Sequence, residues 1–233
     1  VDYDRIDTNI KSDYLSALSI TASNFTSGNS ISFFQSETGI SPWSRAKRLG
    51  EACQVNSEHL MASAAIPLVF PSIKIRNQHY GDGSVHQLSP LSPAIHLGAE
   101  RILVIGLEQP RAEVHANENN PHPPSTATIA GHLLDTIFAD TLQSDLERMS
   151  RINNTLSLIP KESRDGIEGL KHIDSLVINP SKNFNTIALK HFHKLPLSIR
   201  LLIRTAGITK DSESSILSYL LFEKDYCCEL LAL

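Results

Sequence analysis

Between Arg101 and Leu107 the chain reads RILVIGL, with four consecutive apolar residues from Ile102 to Ile105. A strand with one wet face alternates apolar and polar residues, so an unbroken run predicts a parallel strand covered on both faces. Covered parallel strands belong to layered α/β folds. The preceding segment agrees: Pro90 and Pro93 each follow a serine, which suits a helix opening, and Gly98 supplies the stop for a short helix PAIHLGA. The expected fold class is therefore α/β with a mostly parallel sheet.

Other elements follow from periodicity. The polar, acidic segment 1–14 leads into LSALSITA at Leu15–Ala22, an alternating half-buried strand closed by Asn24 to Gly28, and ISFF at Ile31–Phe34 reads as the next strand. From Arg45 the pattern becomes helical and stops at Pro67 and Pro71, after which IKI at Ile73–Ile75 is extended. Residues 15–112 form the expected α/β core. Residues 113–125, EVHANENNPHPPS, read as a flexible loop, and 126–180 as one long amphipathic helix followed by a last strand, SLVINP. The remainder, 181–233, has a helical pattern interrupted at Pro196 and Gly207.

With 233 residues, 41% of them apolar, the chain can bury a substantial core. Its formal charge of -4 gives no basic excess, so nucleic acid is not an expected partner. Cys227 and Cys228 are adjacent and Cys53 is distant, which makes no disulfide framework and suggests a reducing, cytoplasmic setting. No apolar run approaches the roughly 20 residues of a spanning helix.

The residue that draws chemical attention is Asp82, set between Gly81 and Gly83 in HYGDGSVHQLSP. Flanking glycines let the backbone turn sharply and leave the carboxylate uncovered, as a general base requires. Asp-Gly is also the common two-residue hairpin turn, the plain alternative. His79 and His86 flank Asp82, and His191 and His193 form an HFH pair. Chance pairing among ten histidines outweighs a triad or a zinc site, since no second ligand cluster has metal spacing. In KLPLSIRLLIRTAG, from Lys194 to Gly207, leucines and arginines at helical spacing fit a helix packed on the core with its arginines solvated, ahead of one resting on a lipid surface.

In order and spacing, HLMASAAIPLVFP, YGDGSV and SPLSPAIHLGAERILVIGL resemble the C-terminal half of patatin-like phospholipases, and LSALSITASNFTSGNSISFF is similar to that family's two strands after the nucleophile helix. The similarity covers roughly residues 14 to 108. It implies a three-layer α/β/α fold and hydrolysis of lipid esters by a Ser/Asp dyad without histidine, metal or cofactor. Asp82 matches the dyad aspartate, and Gly81, Gly83 and Ser84 its motif, with Ser84 at a small spacing position. The chain departs from the family in one decisive respect: no serine has glycines at both offsets of a G-x-S-x-G elbow, and no glycine-rich oxyanion loop is present. The resemblance thus implies a lipid substrate, peripheral contact with membranes, and a serine-bearing segment upstream of these residues. The chain alone is expected to be inactive, and an ordered structure to need a second chain or segment that completes the sheet. The competing expectation is a non-catalytic α/β module that binds lipid or a protein partner.

Overall fold

A computed structural model describes residues 2–37, 39–67, 70–106, 126–160, 170–197, 200, 218, 221 and 223–232, with no side-chain description for 126–140 and 185. The chain divides into two units, Val1–Ile102 with Asp140–Ser175, and Leu103–Ala139 with Leu176–Leu233.

The first unit opens with a short helix, α1 (Asp4–Lys11), of which Ile10 is buried. Strands β1 (Ala17–Asn24) and β2 (Asn29–Ser36) then pair antiparallel over their whole length, Ala17 opposite Ser36 and Asn24 opposite Asn29. The connecting turn has a local cause. Asn24 Oδ1 accepts hydrogen bonds from the Thr26 and Ser27 amides, and Gly28 takes the left-handed φ of 68° that a side chain would resist. Strands β3 (Trp43–Arg45), β4 (Arg48–Ala52), β5 (Ile73–Ile75) and β6 (Gln78–Asp82) complete a six-stranded sheet of order β3-β4-β2-β1-β6-β5.

Within this sheet only β2 and β4 run parallel; its four other pairings are antiparallel. This corrects the expected mostly parallel sheet. Short turns at residues 25–28, 46–47 and 76–77 join neighbouring strands, and a short turn can only join antiparallel partners. The helix expected from Arg45 is also replaced: residues 43–52 form the β3–β4 hairpin, turning through Lys47 at φ 58°. Good helix formers in AKRLGEA yield to tertiary pairing of Arg48–Ala52 along β2.

Register sorts the core. Ala22, Ile31, Phe33, Ile75 and Tyr80 share one face with Leu49 and are covered by α2 (Ser57–Ser63), which contributes Ala62. On the opposite face Phe34 stacks on Trp43, whose ring lies over Gly50 and meets His96 of α3 (Ser92–His96) edge-on. Gly98, at φ 100°, ends α3 where the sequence placed a stop. Burying Ile31 and Phe33 contributes roughly 1.5–3 kcal/mol each.

Within the first unit, Asp145 of the long helix α4 (Thr126–Leu158) accepts with its carboxylate from Ser89 Oγ at 2.7 Å and the Leu91 amide at 3.0 Å. The RILVIGL run becomes β7 (Arg101–Ile105) and pairs with β8 (Asp174–Ile178) in a separate two-stranded sheet. Hydrogen bonds from the Asp174 amide to Glu100 O and from the Gly106 amide to Ile178 O show that the two run in the same direction. The expectation of cover on both faces fails, because Leu103, Ile105, Leu176 and Ile178 are between 52% and 79% exposed. Apolar content marks a strand able to take cover; it cannot show that cover is present.

In the second unit, α5 (Phe184–His191), a 3-10 turn at Phe192–Lys194 and α6 (Lys224–Leu231) enclose Ile187, Ala188, Phe192, Leu195, Leu221 and Tyr226. Burial pushes the Tyr226 hydroxyl up to about 12. The expected loop 113–125 and Gly207 lie outside the described residues. No helix among the described residues is long and apolar enough to cross a membrane.

Candidate functional site

Asp82 is the last residue of β6, paired with Ala22 of β1, and its amide donates to Ala65 O at 3.0 Å. It is not at a hairpin tip: that turn lies at Arg76 and Asn77, and a single 3-10 turn, Gly83–Val85, follows the aspartate. The side chain is half-buried. Oδ1 accepts from the Ser84 amide at 2.9 Å and from Ser84 Oγ at 2.6 Å, an Asx-type cap on the following turn. Ser84 is therefore a hydrogen-bond partner of the carboxylate as well as a small residue in the motif.

The glycines are required by close approach, not by backbone angle, since neither has a positive φ. A methyl group at Gly83 would overlap the Thr21 carbonyl, and one at Gly81 would overlap the Phe25 ring. The turn is locked to β1 by Ser23, whose hydroxyl donates to Gly83 O and accepts from the His86 amide.

The histidines separate. His79 is exposed and shares a hydrogen bond with Ser72 Oγ, while His86 packs edge-on to Phe25 with its Nδ1 buried and unpartnered. Burial, with a contribution from Lys47, holds His86 below the usual imidazole value. His191 Nε2 meets Glu229 Oε2 at 2.8 Å, and His193 Nδ1 meets Lys190 O, so the HFH pair is engaged elsewhere. No group of three metal-ligating side chains forms among the described residues. Of the segment 194–207 only residues 194–197 and 200 are described: Leu195 is buried, Leu197 is 76% exposed and Arg200 Nε is buried without a partner, while the rest of the expected helix, with Leu201, Leu202 and Arg204, lies outside the described residues.

A cavity of about 640 Å³ opens beside β1, lined by Ser19, Thr21, Gln87, Pro90, Pro93 and Leu97 among others. Ser19 Oγ is buried there without a partner. Asp82 is not part of its wall: strand alternation puts Asp82 with Ala22 on the α2 face, and Ser19 and Thr21 on the other. Sequence reasoning missed a pairing at α2, where Asn56 Oδ1 accepts from the Glu58 and His59 amides while His59 Nδ1 accepts from the Asn56 amide. An Asn before S-E-H-L was the available signal.

The fold and this site together define a mixed α/β unit with a capped aspartate at a strand end. No family model matches the chain, and neither does any curated protein or solved structure.

Proposed function

We propose that this chain is part of a patatin-like lipid acyl hydrolase in which Asp82 removes the proton from a serine hydroxyl supplied by a segment outside these residues. The observation that carries the reading is the setting of Asp82: a strand-end carboxylate between two glycines, of which Gly83 lies hard against the Thr21 carbonyl and Gly81 against the Phe25 ring, held in one orientation by Ser84. Such fixing suits a general base, whose carboxylate must meet the attacking hydroxyl in one geometry. The substrate would be a phospholipid or another lipid ester. Helices on both faces of the sheet, α2 over Ala22 and Tyr80 and α3 against Trp43, support a three-layer α/β/α arrangement for the whole enzyme.

Asp82→Asn is the decisive variant. Asparagine keeps the cap oxygen that receives the Ser84 amide but is no base. In the native protein that contains these residues, hydrolysis of a short-chain p-nitrophenyl ester should fall about a hundred- to ten-thousand-fold while the melting temperature stays put. Unchanged hydrolysis overturns the assignment. The 233-residue chain alone should give only background rates; hydrolysis by that chain which Asp82→Asn abolishes would overturn the need for a serine from outside these residues.

A second reading has its own support. Oδ1 of Asp82 already serves Ser84 twice, which is what a purely structural cap does, and a non-catalytic module binding lipid or a protein partner needs nothing more.

A further inference from the structure

On the face of the first unit that carries α3, a cavity of about 190 Å³ lies between α3 and α4. One part of its wall is apolar: Leu91, Ile95, Met149, Ile152, Leu170 and Ile173. The other part is cationic, with Arg48 half-buried, and Arg148 and Lys171 exposed at the mouth. Lys171 is committed to Gly98 O and Glu100. Among the described residues no carboxylate comes within ion-pair distance of Arg48 or Arg148. The one acid in the wall, Asp145, spends its two oxygens on Ser89 and the Leu91 amide. His96 lines the same cavity, and its Nε2 is buried without a hydrogen-bond partner. Asn153 is closed off by two bonds to the Ile173 backbone.

Such a wall has uncompensated donors at one end and apolar surface at the other. A guanidinium matches a carboxylate with two parallel hydrogen bonds, and a desolvated apolar wall favours a hydrocarbon tail over a bare inorganic anion. The volume is that of about six water molecules, which limits the tail to a few carbons. We propose that this cavity binds a small carboxylate with a short apolar tail, its head on Arg48 and Arg148, beside the His96 ring, and its tail against Ile95, Met149 and Ile152. The site is separate from Asp82 and does not depend on the reading of that residue.

Titration calorimetry of the 233-residue chain with hexanoate tests it, with 1-hexanol, acetate and inorganic phosphate as parallel arms. Hexanoate should bind one to one, each of the other probes at least about tenfold more weakly, and the His96 ring resonances should move as hexanoate saturates. Replacing both cations, Arg48→Gln with Arg148→Gln, should weaken hexanoate by about tenfold or more while leaving hexanol unchanged, since bonds to charged groups are lost and the wall is not. Ile152→Trp, which fills the cavity, should abolish binding with the helical signal retained. Should that variant fail to fold, the arginine pair decides alone. Equal affinity for hexanoate and hexanol, phosphate binding as tight as hexanoate, undiminished binding in the arginine variant, or no saturation by hexanoate would each overturn the proposal.

Discussion

At the level of single residues, Gly81 and Gly83 have different tolerances although both flank Asp82. A side chain at Gly83 collides with the Thr21 carbonyl, which is fixed in the β1 ladder, whereas one at Gly81 meets the ring of Phe25, a half-exposed side chain that can swing aside. Gly83→Ala should therefore cost about 1–3 kcal/mol and Gly81→Ala clearly less, as urea unfolding midpoints will show. The sequence flagged this triplet correctly as unusual, but for another reason. Glycine invites an explanation in backbone freedom, and nothing in the linear chain announces that Thr21, sixty-two residues earlier, passes close behind Gly83. Ser84 was underestimated on similar grounds, because a hydroxyl two positions after an aspartate is legible as a partner only once the turn between them is known.

Among the elements, those with strong periodicity or strong punctuation were legible: β1 from alternation, β2 as the apolar run after the turn that closes β1, α3 from its Ser-Pro opening and Gly98, α4 from its apolar stripe. The β3–β4 hairpin was not. Its residues favour helix by propensity, and only the parallel partner β2 makes them a strand. Because the real helix begins at Ser57, its cap carries weight: Asn56→Ala removes an oxygen that serves two amides and should cost about 1 kcal/mol, read by denaturant unfolding. The two sheets also predict opposite responses to truncation. Ile31→Ala, in the buried face under α2, should cost about 2–5 kcal/mol, while Ile105→Ala, on the open face of β7, should change stability by no more than about 0.5 kcal/mol. A large loss at Ile105 would mean that its face is covered in solution.

For the molecule as a whole, acid sensitivity has a specific source in the first unit. His59, His86 and His96 are all held below the usual imidazole value of 6.5, in each case chiefly by burial; Lys47 adds to the effect at His86 and Arg45 and Arg48 at His96, while at His59 Glu58 and Glu51 oppose it and Arg76 adds to it. Protonation is thus harder in the folded state than in the unfolded one. The stability tied to these rings is fully present above about pH 6.5 and is lost as pH falls from there through their lowered folded values. His59 adds a structural reason: its Nδ1 accepts the Asn56 amide and cannot do so once protonated. Unfolding free energy measured at about pH 7.5 should exceed that at about pH 5.5, and His59→Gln should flatten the difference. A profile flat across this window in the wild type would contradict the assignment. None of this was visible in a list of ten histidines, because the property belongs to the packing and not to the residue type.

The position of Trp43 gives the first unit an optical gauge. It is the sole tryptophan in the chain, stacked on Phe34 and touched edge-on by His96. An indole in that setting emits to the blue while the sheet is intact, dims when the adjacent imidazole gains a proton, and shifts red when β3 peels away, so one emission spectrum separates a local change beside α3 from loss of the sheet.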